Sequence, residues 1–115
     1  LPNNLKSLSC SDNLITELPK LPKSLSNLSC YGNKLIRLPE LKELNNLKEL
    51  NCSFNNLNEI PELPESLEKL ECIGNNLPYK DLNGYWIWFH EYYPIHYPDK
   101  YNDYLARQEM KKYNL

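Results

Sequence analysis

Four cysteines and four asparagines recur together along this chain, and both residue types can do chemistry. Cysteine stands at positions 10, 30, 52 and 72, and Asn13, Asn33, Asn55 and Asn75 each follow three residues later. Four thiols could hold zinc, but the close Cys-x-x-Cys pairs that usually do so are absent. Disulfides would need the β-carbons to face one another across a few ångströms. Spacings of 20, 22 and 20 residues instead suit small, packed, unreacted side chains. Free thiols in that number favour a reducing, intracellular compartment. The asparagines, each with two donors and an acceptor, suit the satisfaction of backbone groups where the chain turns. His90 and His96, with Glu91 beside the first, make a weak metal set. With three glycines in the whole chain there is no phosphate-cradling loop. The sequence therefore predicts no catalytic residues, no metal and no cofactor.

The elements that position these residues follow from the leucines between them. Leu5, Leu8, Cys10, Asn13 and Ile15 form a frame that returns as Leu25, Leu28, Cys30, Asn33 and Leu35. It returns again as Leu47, Leu50, Cys52, Asn55 and Leu57, then as Leu67, Leu70, Cys72, Asn75 and Leu77. Alternation through Leu8 and Cys10 has a period of two, which predicts a short strand in each unit. Units this short cannot bury their own apolar side, so neighbouring strands must stack in parallel, about 4.8 Å apart. Leu18-Pro19 with Leu21-Pro22, Leu38-Pro39 with Leu41, and Ile60-Pro61 with Leu63-Pro64 fill the returns. Proline disfavours helix in the residue before it, so these returns should run extended, near polyproline II. The third unit carries two extra residues, and a helical turn is expected within 40–46.

The template Leu-x-x-Leu-x-Cys-x-x-Asn-x-Leu resembles the leucine-rich-repeat family, with cysteine in a position that is usually aliphatic. The 20-residue length and the Leu-Pro-x-Leu-Pro returns are similar to the short repeats of bacterial secreted effectors and of large DNA virus proteins. The resemblance covers residues 1–78. It implies an α/β solenoid, a right-handed superhelix with a parallel sheet on one face and extended returns on the other. Residues 1–78 would be four units of an N-terminally truncated array, with further repeats or a cap upstream of Leu1. Some relatives join such repeats to a ubiquitin-ligase domain, whose nucleophile motif Cys10-Ser11-Asp12 happens to spell. The same phase in the other units reads Cys30-Tyr31-Gly32, Cys52-Ser53-Phe54 and Cys72-Ile73-Gly74, and the cysteine of each should point inward. A catalytic thiolate needs exposure and a base, so the match is coincidence. In a pathogen or virus, the resemblance would place the protein in the host cytoplasm.

Composition changes at Pro78. Eleven of thirteen aromatic residues fall within 79–115. Leu82, Tyr85, Trp86, Phe89 and Tyr93 lie on one face of a helix starting near Asp81, its expected N-cap, and Pro94 should end it. A second helix is expected from Asp99 to Tyr113, with Tyr101, Tyr104, Leu105 and Gln108 on one side. The segment 79–115 reads as a helical, aromatic C-terminal cap, with Ile87 and Trp88 left exposed.

Function is expected on the outward side of the strands. Three columns face away from the Leu and Cys positions. They are Ser7, Asn27, Glu49 and Lys69; Ser9, Ser29, Asn51 and Glu71; and Ser11, Tyr31, Ser53 and Ile73. These residues vary from unit to unit while the inward ones barely change. That pattern suits recognition of a partner protein, with Asn27, Ser29, Tyr31, Glu49, Asn51, Ser53, Lys69, Glu71 and Ile73 as the contact set. Tyr31 and Ile73 are the anchors. The alternative is a structural solenoid segment of a longer effector-like protein whose activity lies elsewhere. A formal net charge of -2 opposes nucleic-acid binding. No apolar run approaches the roughly 18 residues needed to span a bilayer. The chain is expected to be a monomer or part of a longer chain.

Overall fold

The computed structural model describes residues 1–114 and has an α/β fold, a four-stranded parallel sheet and three helices. The strands are β1 (Ser7–Ser9), β2 (Asn27–Ser29), β3 (Glu49–Asn51) and β4 (Lys69–Glu71), and they lie in sequence order. The helices are α1 (Leu82–Glu91), α2 (Tyr93–His96) and α3 (Pro98–Lys111). The chain divides into two compact parts, a sheet region Leu1–Leu82 and a helical region Asn83–Leu115.

In the sheet region every pairing keeps the phase of the repeated frame. Ser7 pairs with Asn27, Asn27 with Glu49 and Glu49 with Lys69, while Leu8, Leu28, Leu50 and Leu70 form the middle column. The two extra residues of the third unit therefore leave the strand register untouched. They are absorbed upstream of β3, where consecutive turns replace the expected helical turn. Leu25, Leu47 and Leu67 each donate their backbone N–H to the residue three before, at Pro22, Leu44 and Pro64. The insertion adds one more such turn, Leu44 N–H to Leu41 O, 3.0 Å. Leu44 is buried where its counterparts are prolines, so the longer return keeps its apolar contact without a helix.

The interior is built from one leucine and one cysteine per strand. Leu28, Leu50 and Leu70, and Cys30, Cys52 and Cys72, are buried, joined by Leu25, Leu47 and Leu67 before the strands. From the returns come Leu18, Leu21, Leu38, Leu41, Ile60 and Leu63, which close the other side without helix or strand. β1 is an edge: Leu8 and Cys10 are only half-buried. The edge of β4 is covered by the chain itself, since Asp81 forms an antiparallel bridge with Glu71 and Tyr79 is buried. The Cys72 thiol donates to Tyr79 O at 3.8 Å. Cys10 and Cys30 make the same bond to the neighbouring strand, at Ser29 O and Asn51 O. Tyr79 thus supplies the carbonyl that a further strand supplies elsewhere.

The helical region packs around Phe89. Its ring stacks on Tyr93 at 4.7 Å and meets Tyr104 edge-on at 4.8 Å, with Tyr85, Trp86 and Tyr101 within about one ring width. Tyr85, Phe89 and Tyr104 are buried, in line with the expected faces. Three expectations need correction. Pro94 does not end the helical path but sits in the first turn of α2, where its missing N–H has no intrahelical partner to lose; the break falls before it, at Glu91. Leu105 is exposed: the covered stripe of α3 runs through Tyr101, Tyr104 and Gln108 and is centred on Tyr104, the buried residue of the helix, which leaves Leu105 on the water side. Ile87 is exposed, but Trp88 is half-covered by Tyr92 and Tyr93. Among the described residues, no helix is long and apolar enough to cross a membrane.

Candidate functional site

Each of the four thiols that might have carried chemistry is free and protonated. Burial is the first cause at every one: it raises the Cys10 pKa, pushes Cys30 up to about 12 and Cys72 up to about 11, and raises Cys52 further still. The negative charge a neighbouring thiolate would carry adds to the rise at Cys30 and Cys52. A nucleophile needs the opposite shift.

The asparagines form a ladder. Asn55 donates to Cys30 O, Cys52 O and Ser53 O at 3.0, 3.1 and 3.3 Å, and its Oδ1 accepts from Leu35 N–H at 3.0 Å. Asn33 bonds Cys10 O, Cys30 O and Ile15 N–H in the same way, and Asn75 bonds Cys52 O, Cys72 O and Leu57 N–H. Each amide therefore ties its own unit to the previous one. Asn13 bonds only within its own unit, to Cys10 O and Ser11 O.

The outward residues of the strands do come together on one face. A shallow depression of about 260 Å³ runs across all four strands, with Ser9, Ser29, Asn51 and Glu71 along one side and Asn27 and Lys69 along the other. Asn27 donates to Glu49 at 2.8 Å, and Lys69 pairs with Glu71 at 3.0 Å. Glu71 first and Glu49 next raise the Lys69 pKa. Ser29 shares a hydroxyl hydrogen bond with Ser11, 2.9 Å. Asn51 turns its Oδ1 back to accept from Ser53 N–H at 3.1 Å. Tyr31 and Ile73 are exposed, at 36% and 51%.

Ser53 is a correction. Placed in the contact set by its phase, it is buried, 3% exposed. Tyr31 and Ile73 occupy the same column in the units on either side, and a side chain as short as serine does not emerge between them.

Sequence reasoning missed the row one position further on. Asp12, Gly32, Phe54 and Gly74 all have positive φ, between 56° and 71°. This is the left-handed conformation that glycine adopts freely and other residues adopt at a cost. It turns the chain out of the strand while the parallel ladder continues, with Asp12, Gly32 and Phe54 donating to Tyr31 O, Ser53 O and Ile73 O at 2.8–3.0 Å. The large side chains lie over the glycines. A β-carbon on Gly32 would stand 2.6 Å from Asp12 Oδ1, and one on Gly74 would stand 2.4 Å from the Phe54 ring. Phe54 is half exposed and meets Tyr31 edge-on, centroids 5.5 Å apart and planes at 74°. The signal was present: Gly32 and Gly74 share one phase of the repeat, which marks a backbone requirement there.

On the return side, a second depression of about 520 Å³ is lined by Lys20, Lys23, Glu40 and Glu43 among apolar neighbours. Its charges cancel, and Lys23 reaches Glu43 at 3.9 Å. Among the described residues no group of three metal-ligating side chains gathers. No protein-family model matches the chain, and no curated protein or solved structure is significantly similar to it.

Proposed function

We propose that the sheet region is a leucine-rich-repeat solenoid segment whose strand face binds a partner protein, and that the chain has no catalytic role. The observation that carries this reading is the division of labour across each strand. The inward column is Leu8, Leu28, Leu50, Leu70, whereas the outward columns mix serine, asparagine, acid and base in register, with Tyr31 and Ile73 just beyond, where the parallel bonding continues. A constant interior fixes the spacing of side chains, and a varied exterior gives them something to distinguish. Exposed aromatic and aliphatic groups among polar ones are the composition from which interface anchors are drawn. Buried, protonated thiols argue against nucleophilic chemistry and fit a reducing, intracellular setting.

A photo-crosslinking amino acid at position 27, on the strand face, and another at position 45, on the return side, test this in extract of the source cell. The face position should give a discrete protein adduct that the return position does not. The adduct should disappear when Tyr31 and Ile73 are both changed to alanine in a protein of unchanged thermal stability. Adducts identical from both positions, or indifferent to the double substitution, refute the assignment.

A further inference from the structure

We propose that the corner between Tyr31 and Phe54, with the Asp12 carboxylate beside it over Gly32, receives an arginine side chain of the partner. This rests on the strand side being a binding face and names the chemistry it selects. Phe54 is the starting point because nothing in its own unit requires it. Two of the four equivalent positions are glycine, the residue for which φ near +60° is free of strain. A phenylalanine there accepts backbone strain and then leaves half of its ring in water. A non-glycine residue held in this conformation on an open surface points to a use outside the fold.

The shape is specific. The two rings stand at 74°, 5.5 Å apart, so together they present a face and an edge. One side of the Phe54 ring is pressed on Gly74, where even a β-carbon would collide, which fixes the ring against the backbone. Gly32 leaves the space beside Tyr31 without a side chain of its own, and Asp12 Oδ1 projects over it. Across residues 11–13, 31–33, 53–55 and 73–75, Asp12 is the one charged side chain. The adjoining strand columns add Glu49 and Glu71 against Lys69. The whole surface is therefore acidic by two charges, three acids against one base. An aromatic face with a neighbouring carboxylate attracts a cation. The flat guanidinium suits it better than the ammonium, because it can stack on a ring and still donate in its plane. Exposed Ile73 in the next unit offers apolar surface for the arginine methylenes.

The test is an NMR titration of the full chain with two capped tripeptides, acetyl-Gly-Arg-Gly-amide and its citrulline counterpart, which keeps the shape and loses the charge. The arginine peptide should shift the Tyr31 and Phe54 ring signals and the Gly32 amide saturably. The citrulline peptide should bind about 3-fold or more weakly. Phe54→Gly, which suits the backbone and so should leave the protein folded, should weaken the arginine peptide by a similar factor, as should Asp12→Asn. Equal binding of both peptides at these residues would remove the cation while leaving a binding face. No saturable shift there with the arginine peptide up to about 0.1 M would overturn the site. If the face-specific adduct from position 27 persisted in that case, the broader assignment would stand; its loss as well would end both.

Discussion

The sheet region and the helical region bury their interiors by opposite means. In the sheet region the same small set of groups is used once per unit: a leucine in register with the next leucine, a thiol bonded to a backbone carbonyl of the next unit, and an asparagine amide bonded to a backbone carbonyl of the previous one. In the helical region nothing repeats, and a single ring, Phe89, gathers five tyrosine and tryptophan neighbours and the His90 ring. Distributed and centralised interiors should fail differently. Damage to one unit of a ladder leaves the other junctions intact, whereas loss of a hub releases every contact at once. The largest effect is therefore expected at Phe89. Phe89→Ala should cost about 3–5 kcal/mol in the stability of the helical region, the range for emptying a buried aromatic position. Loss of near-ultraviolet circular dichroism from the clustered rings would report it. A loss below about 1 kcal/mol would mean that the hub is not one.

The ladder gives the next largest effect and a control within itself. Asn55→Ala removes three donated bonds and leaves Leu35 N–H without its acceptor. At about 1–3 kcal/mol for stranding buried polar groups, denaturant unfolding should show a loss of about 3 kcal/mol. Asn13→Ala, at an exposed position bonded only to its own unit, should cost less than about 1 kcal/mol. Equal losses at the two positions would show that bonds between units contribute nothing beyond those within them.

Most of this division could be read in the amino-acid sequence, because periodic spacing ties each residue to a place. The strand columns, the buried cysteines and the asparagine bonds all follow from one phase, and a two-residue insertion did not disturb it. What escaped had no place in a leucine template. Ser53 shares its phase with exposed Tyr31 and Ile73, yet is too short to emerge between them. Asp12 and Phe54 hid a left-handed position that Gly32 and Gly74 displayed openly. In the helical region a face can be read from i, i+3 and i+4 spacing, and Tyr85, Phe89 and Tyr104 obeyed it. The breaks could not be read so well: a proline is equally at home just after a helix and just inside the next one. Leu105 fits the Tyr101 face by its i+4 spacing, yet the buried stripe of α3 is centred on Tyr104 and leaves it exposed.

The thiols sharpen the contrast through pH. Folding raises their pKa values above the ordinary 9.0, so the folded state holds those protons more tightly. Their contribution is fully present below about pH 9 and is lost as pH rises toward about 11 at Cys72 and about 12 at Cys30. Stability should therefore fall on the alkaline side, with a slope of up to ~1.4 kcal/mol per pH unit for each thiol that remains protonated only in the folded protein. Cys30→Ala should flatten that slope, although it lowers stability at neutral pH. A slope unchanged by the substitution would show that Cys30 ionises as freely in the folded chain as in the unfolded one.

The smallest effect separates two costs that meet in the left-handed row. Gly74→Ala imposes a positive φ on a residue with a β-carbon, and also drives that carbon into the Phe54 ring at 2.4 Å. Backbone strain alone is worth about 1–2 kcal/mol, and the collision adds to it unless the ring swings away. In the Phe54→Gly background the collision is gone and only the strain remains, so the same substitution should cost less there. Phe54→Gly by itself relieves strain in its own backbone but gives up the edge contact with Tyr31, two terms of about 1 kcal/mol that oppose each other. Its stability should stay within about 0.5 kcal/mol of the parent. A larger loss would mean that Phe54 is retained for the fold, and the case for its exposed face as a recognition element would lose its premise.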